Sequence, residues 1–208
     1  MKPFREIRHP LALEKIGRLR EHATDVQTFR RLVQELSTFL AIECTDDLIV
    51  QTHTIQTPIA EAKVVRSRDE VVLIPILRAG LGMVEGMLQW IPSAKVGHLG
   101  MYRDPETLMP VEYYANTPTG MSDSVVIVLD PMLATGGSAT AALDLLKSRG
   151  AKHIKLASII AAPEGLAKVQ SNHPDVQIYA VVLDQGLNSH GYIVPGLGDA
   201  GDRIFGTL

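Results

Sequence analysis

Four short apolar runs, VVLIPIL (71–77), VVIVLD (125–130), IKLASIIA (154–161) and QIYAVVLD (177–184), are spaced along the chain with helix-like stretches between them. A run that is apolar at successive positions buries both faces of a strand, which suits the centre of a parallel sheet covered by helices on each side. The intervening segments GMVEGMLQWI, GSATAALDLLKSRG and PEGLAKVQSNHP fit that role, with Gly150 at a helix C-terminus and Pro163 in a first helical turn. This alternation predicts an α/β fold, a parallel sheet flanked by helices.

Two amphipathic helices are expected before the first of these runs. LALEKIGRLREHA is one; the second starts at Thr24, where Thr24 and Gln27 have the spacing of a capping box, and carries Val26, Phe29, Leu32, Val33, Leu36, Phe39 and Leu40 at helical intervals. Residues 1–45 therefore read as a helical layer outside the sheet. The apolar face of the second helix exceeds what a small sheet needs to cover, so a homodimer or larger homo-oligomer is expected. Residues 101–120 break the α/β rhythm with three prolines and a strand-like PVEYYA, and read as a hairpin or flap.

The 208 residues are 46% hydrophobic and 21% charged, enough for one sizeable core and one domain. A net charge of −3 leaves no basic footprint for nucleic acid or an anionic membrane and favours a small polar substrate. The first ten residues carry no apolar leader, and no stretch of about 18 apolar residues occurs, which predicts a cytoplasmic protein. Cys44 is the only cysteine and reads as a buried small hydrophobe. His9, His22, His53, His98, His153, His173 and His190 show no metal-binding spacing and are given no catalytic role.

The stretch VIVLDPMLATGGSAT (126–140) concentrates the chemistry. It delivers Asp130 to a strand end, then Thr135, Gly136, Gly137 and Ser138 to a turn that opens a helix. Hydroxyls and close-approaching glycine backbone at a helix N-terminus form an anion site; an ordinary turn with Ser138 as N-cap is the plain alternative. The absence of a lysine excludes a Walker A loop. GLGDAG (196–201) matches GxGxxG but leaves only seven residues after Gly201, too few for a βαβ unit. RAGLGMVEG (78–86) sits between a strand and a helix but reads GxGxxxG.

The spelling LDPMLATGGSA resembles the phosphoribosyl-diphosphate loop of type I phosphoribosyltransferases in its uracil phosphoribosyltransferase version. RHPL near the start, ILRAGLGM (76–83), MYRDPETLMPVEYY (101–114) and GYIVPGLGDAGDRIFGT (191–207) resemble the same family in the same order. Type I enzymes usually carry two adjacent acids at this strand end, whereas Pro131 follows Asp130 here, as in the uracil branch.

The resemblance implies one phosphoribosyltransferase domain over 1–208, with the helical layer at 1–45, a β-hairpin flap at 101–120 and a base-binding hood at 185–208. It implies conversion of uracil and 5-phospho-α-D-ribose 1-diphosphate (PRPP) to UMP and diphosphate in pyrimidine salvage. By the same resemblance, Asp130 accepts hydrogen bonds from the ribose hydroxyls, and Pro131, Met132, Leu133, Ala134, Thr135, Gly136, Gly137 and Ser138 form the PRPP loop. Arg78 and Arg103 meet the diphosphate, with a non-proline cis peptide in the turn around Arg78. Ile193, Gly198 and Ala200 read uracil through their main chain, and Asp199 faces PRPP or its metal and can help remove the N1 proton. Tyr192 can wall the site near uracil C5. For each there is a plainer reading: Asp130 as a helix-approach cap, Arg78 as a solvated strand end, Arg103 as a hairpin charge, Asp199 and Asp202 as turn formers, Tyr192 as packing. Mg²⁺ is expected to arrive with PRPP, with no protein cage. No motif decides whether GTP is an effector. The competing functions are an RNA-binding pyrimidine regulator on the same fold and an NAD(P)-dependent oxidoreductase built on RAGLGMVEG.

Overall fold

A computed structural model describes residues 4–103 and 110–207, with Tyr102, Arg103 and Pro110 as backbone only. In chain order its elements are β1 (Phe4–Glu6), α1 (Pro10–Arg20), α2 (Val26–Cys44), β2 (Val50–Gln56), β3 (Glu61–Ser67), β4 (Val71–Leu77), α3 (Leu81–Trp90), β5 (Lys95–Val96), β6 (His98–Arg103), β7 (Pro110–Asn116), β8 (Val125–Leu129), β9 (Met132–Leu133), α4 (Gly137–Ser148), β10 (His153–Ala161), α5 (Pro163–Asn172), β11 (Gln177–Leu183), β12 (Gly186–Leu187), β13 (Ile193–Val194) and α6 (Ala200–Phe205).

The main sheet runs β1-β11-β10-β8-β4-β6-β7, with the short β5 and β9 beside β4 and β10. All its pairings are parallel except β6 with β7. The four apolar runs are β4, β8, β10 and β11. Successive residues of these strands alternate between two cores. Leu73, Ile127, Leu129, Ala157, Tyr179 and Val181 face the layer formed by α1, α2, α3 and α6. Ile74, Val126, Val128, Leu156, Ile178 and Ala180 face α4 and α5. Burial on both faces is the reason these strands read as unbroken apolar runs. Lys155, the one charge within them, is buried; its Nζ donates to the Cys44 carbonyl at the end of α2 (2.8 Å) and pairs with Asp47.

Several expectations need correction. The N-terminal segment is not wholly outside the sheet: β1 pairs with β11 and forms its edge. The α2 cap is Asp25, whose carboxylate accepts the Thr28 N–H (2.8 Å), while the Thr24 hydroxyl donates to Arg18 O and finishes α1. An aspartate one residue nearer the helix reaches its orphan N–H directly. The apolar face of α2 is also covered within the chain: Phe29, Leu32, Val33, Leu36 and Leu40 are buried in the core with α1, α3 and the sheet. That face therefore gives no support for an oligomer.

Segment 50–67, for which the residue pattern suggested no element, is an antiparallel hairpin, β2 with β3, separate from the main sheet. Most of its residues are exposed, and Ile59 at its tip is 95% exposed. The expected flap is present as the β6–β7 hairpin; its residues 104–109 lie outside the described part of the chain. The C-terminal segment 185–208 contains the small β12–β13 pair and α6.

Candidate active site

Parallel strands β4, β8 and β10 end on one side of the sheet, where loops lead into helix N-termini. β8 stops at Leu129 because Pro131 has no N–H to continue the ladder. The Pro131 carbonyl instead accepts the Ile159 and Ile160 N–H groups (3.1 and 3.0 Å), after which β9 resumes pairing with β10. This step leaves Asp130 facing a cavity of about 110 Å³ lined by Asp130, Met132, Leu133, Ala134, Thr135, Gly136, Gly137, Ser138 and Ala139. Pro131 is buried and is not among the residues that line it.

Asp130 Oδ1 accepts the Met132 N–H (3.2 Å). Burial pushes its carboxyl up to about 6, and that hydrogen bond offsets the rise only in part. The loop then enters α4 through Gly136, which has φ +75 and caps without a side-chain hydrogen bond. A side chain there is excluded twice: the left-handed backbone strains it, and a Cβ would lie 2.8 Å from Gly165 O. Ser138 is thus inside the helix rather than its N-cap. The first N–H groups of α4 point their partial positive charge at the cavity, as an anion site requires.

Arg78 follows β4 through a cis Leu77–Arg78 peptide, the non-proline cis bond expected in this turn. Its guanidinium is exposed, pairs with Asp202 Oδ1 (3.2 Å) and sits 5.8 Å from the Phe205 ring centroid. Asp202 is therefore Arg78's partner and lies in the first turn of α6 rather than in a loop turn, and it also accepts the Thr207 hydroxyl (2.6 Å). Arg103 is placed as the last residue of β6 by its backbone.

The C-terminal segment curls over this end of the sheet. A second cavity, about 220 Å³, is lined by Met132 and Ala134 from the loop before α4 and by His190, Gly191, Tyr192, Ile193 and Asp199 from the C-terminal segment. The two loops, some sixty residues apart in sequence, thus border one space. Ile193, one of the expected uracil readers, lines it together with Asp199. Gly198 lines an adjoining cavity of about 390 Å³ with Arg20, His22 and Arg203, and Ala200 is buried at the start of α6. Asp199 caps α6, its Oδ1 accepting the Asp202 N–H (3.0 Å). Tyr192 is half exposed at the cavity wall.

Sequence reasoning passed over three residues here. The sequence marks Asp202 only as a turn former; its pairing with Arg78, 124 residues away, leaves no local signal. His190, given no role from the sequence, lines the second cavity. Lys168, on α5, brings its Nζ within 4.0 Å of where a Cβ on Gly137 would lie; no local motif marks it, because only the packing of α5 against the loop brings it there.

The profile of the uracil phosphoribosyltransferase family matches residues 6–207. The chain belongs to the uracil phosphoribosyltransferase family. It is 58% identical over 200 residues to the uracil phosphoribosyltransferase of Bacillus cytotoxicus, covering 96% of each chain. Its structure is similar to the AQ2163 protein of Aquifex aeolicus, with a TM-score of 0.92, 38% identity and 97% of both chains covered. An adenine phosphoribosyltransferase from Trypanosoma brucei, 13% identical with a TM-score of 0.54 over 84% of this chain and 71% of its own, shows that the fold extends to enzymes for other bases. Family membership sets aside the oxidoreductase built on RAGLGMVEG and the RNA-binding regulator as primary readings.

Proposed function

We propose that this protein transfers the 5-phosphoribosyl group from PRPP to N1 of uracil, releasing diphosphate and forming UMP for pyrimidine salvage. The observation that carries this reading is the sharing of Met132 and Ala134 between an anion cavity at the α4 N-terminus and a base-sized cavity under the hood. A sugar phosphate seated in the first has its C1 directed toward the second.

In this reading the residues divide the work as follows. The α4 N-terminus and the 132–138 backbone hold the 5-phosphate. Asp130 accepts hydrogen bonds from the ribose hydroxyls. Cleavage at C1 develops oxocarbenium character and charge on the departing diphosphate, which Arg78 and Arg103 meet with guanidinium donors. Arg78 leaves Asp202 to do so. Ile193, Gly198 and Ala200 offer main-chain groups to uracil, and the flap excludes water as it closes. Asp199 keeps one carboxylate oxygen beyond its cap bond to receive the N1 proton, and the same oxygen would help hold Mg²⁺ brought with PRPP. Hard carboxylate oxygens at the site suit Mg²⁺, which keeps several waters and favours phosphate oxygens; when bound with PRPP it neutralises the leaving diphosphate. The chain works as one domain in the cytoplasm. It assembles into a homo-oligomer through the exposed apolar residues Ile49, Val50, Ile59 and Val65 on and beside the β2–β3 hairpin, in place of the α2 face. No separate GTP site is assigned.

The test is direct: protein, uracil, PRPP and Mg²⁺ are mixed and UMP is measured. Formation of UMP supports the assignment; turnover of another base without turnover of uracil overturns it. Light scattering that shows a monomer overturns the assembly.

A further inference from the structure

If uracil is read mainly by main-chain groups, its discrimination depends largely on how firmly the backbone of the hood is held. That holding is visible. Asp184, at the end of β11, has a side chain only 3% exposed. It accepts the Gly196 N–H (3.0 Å) and two donors of Arg20, from Nη1 at 2.8 Å and from Nη2. The same Arg20 Nη1 donates to Gly196 O (2.7 Å). Both polar groups of one peptide residue are thereby tied to a single ion pair that reaches from the last residue of α1 to the end of a central strand. Gly196 admits no alternative residue: its φ is +64 and a Cβ would lie 2.1 Å from Ile193 O.

One residue further on, a second arginine repeats the arrangement. Arg203 Nη1 donates to Leu197 O (2.8 Å) and Leu19 O (2.9 Å), and Nη2 donates to Glu21 O (2.7 Å). Its guanidinium lies 4.4 Å from the Phe29 ring centroid. The acceptors at Leu19 and Glu21 are carbonyls at the C-terminal end of α1, where the helix favours a cation. Residues 196 and 197 are thus fastened between Arg20 and Arg203, immediately before Gly198, Asp199 and Ala200.

We infer that Arg20, Asp184 and Arg203 are positioning residues for the base: they act by fixing the 196–200 backbone, on which Gly198 and Ala200 present their main-chain groups. This rests on the proposal that the hood is the uracil site. It also gives the N-terminal layer a function, since α1 supplies Arg20 and the carbonyls that Arg203 grips. The fork geometry is needed in both places, because one guanidinium must serve several acceptors at once and an ammonium cannot reproduce that.

The test compares steady-state kinetics of the parent with Arg20→Lys, Arg20→Met, Arg203→Lys and Ala200→Pro, with thermal melting of each. The proposal expects the uracil KM to rise about tenfold or more in all three arginine variants, while the PRPP KM stays within about twofold, as expected for lost charge-assisted hydrogen bonds confined to one subsite. An unchanged uracil KM, or equal rises in both KM values, would overturn it, the latter being a general loosening. Ala200→Pro checks the underlying reading. It deletes one N–H at a first helical position, where proline is tolerated, and the residue before it is already extended. If Ala200→Pro raises the uracil KM and the arginine variants do not, the positioning role fails alone; if Ala200→Pro melts like the parent and leaves the uracil KM unchanged, the hood reading fails too.

Discussion

Asp130→Asn is the most informative single perturbation, because the site predicts opposite effects on stability and activity. Burial raises the Asp130 carboxyl from 3.8 to about 6, against the Met132 hydrogen bond. In the unfolded chain the group ionises near its ordinary value. Below about pH 4 it is protonated in both states and costs nothing. As pH rises from about 4 to 6 the unfolded chain loses the proton first, so folding stability falls; above about 6 the full cost is present. A shift of about two units corresponds to about 3 kcal/mol, and partial access to solvent reduces the expected figure to about 1–2 kcal/mol. Asparagine is neutral throughout and keeps an oxygen for the Met132 N–H. The variant should melt with the parent near pH 4 and about 2–8 °C above it at pH 7.5, given the usual conversion for a chain of this size. Calorimetric melting of both proteins between pH 4 and 8, without substrate, measures the difference curve. Turnover should fall by about 10- to 100-fold through weaker hydrogen bonds to the ribose. A difference in melting temperature that stays flat across this range refutes the account of Asp130 as a carboxylate held at a cost for function.

Further outcomes follow from other contacts. Arg78→Met should raise the PRPP KM by about tenfold or more while leaving uracil binding within about twofold, measured by varying each substrate in turn; a matching rise for uracil would remove Arg78 from the diphosphate subsite. Lys168→Met should raise the PRPP KM about two- to fivefold at low salt, with the effect shrinking near 0.5 M salt, since an exposed ammonium is screened. A salt-independent effect would assign Lys168 to loop packing instead. Lys155→Met should lower stability by about 1–3 kcal/mol in urea unfolding, because it strands Asp47 and the Cys44 carbonyl; an unchanged midpoint would show the pair to be energetically neutral.

Much of the architecture was legible in the residues, for a simple reason. β4, β8, β10 and β11 are buried on both faces, so each had to be apolar at nearly every position, and such runs stand out from any neighbouring pattern. The anion loop was equally local, since strand, acid, glycines and helix start are consecutive from 125 to 148. Elements that depend on a distant partner were not legible. β1 is three residues long and becomes a strand only by lying against β11. The β2–β3 hairpin is exposed on both faces and so has no apolar period to detect. The face of α2 looked too large for a small sheet because α1, α3 and α6, which share its burial, could not be counted from its own sequence.

The same division runs through the site. The sequence by itself determined which groups are present: Asp130 at a strand end, an arginine after β4, glycine-rich backbone near the C-terminus. Tertiary structure alone decided their relations, placing Met132 and Ala134 between two cavities, parking Arg78 on Asp202, and bringing Arg20 from α1 across 164 residues to Asp184. Local patterns record what a segment must bury or present, whereas a long-range ion pair leaves no periodicity in either of the segments it joins.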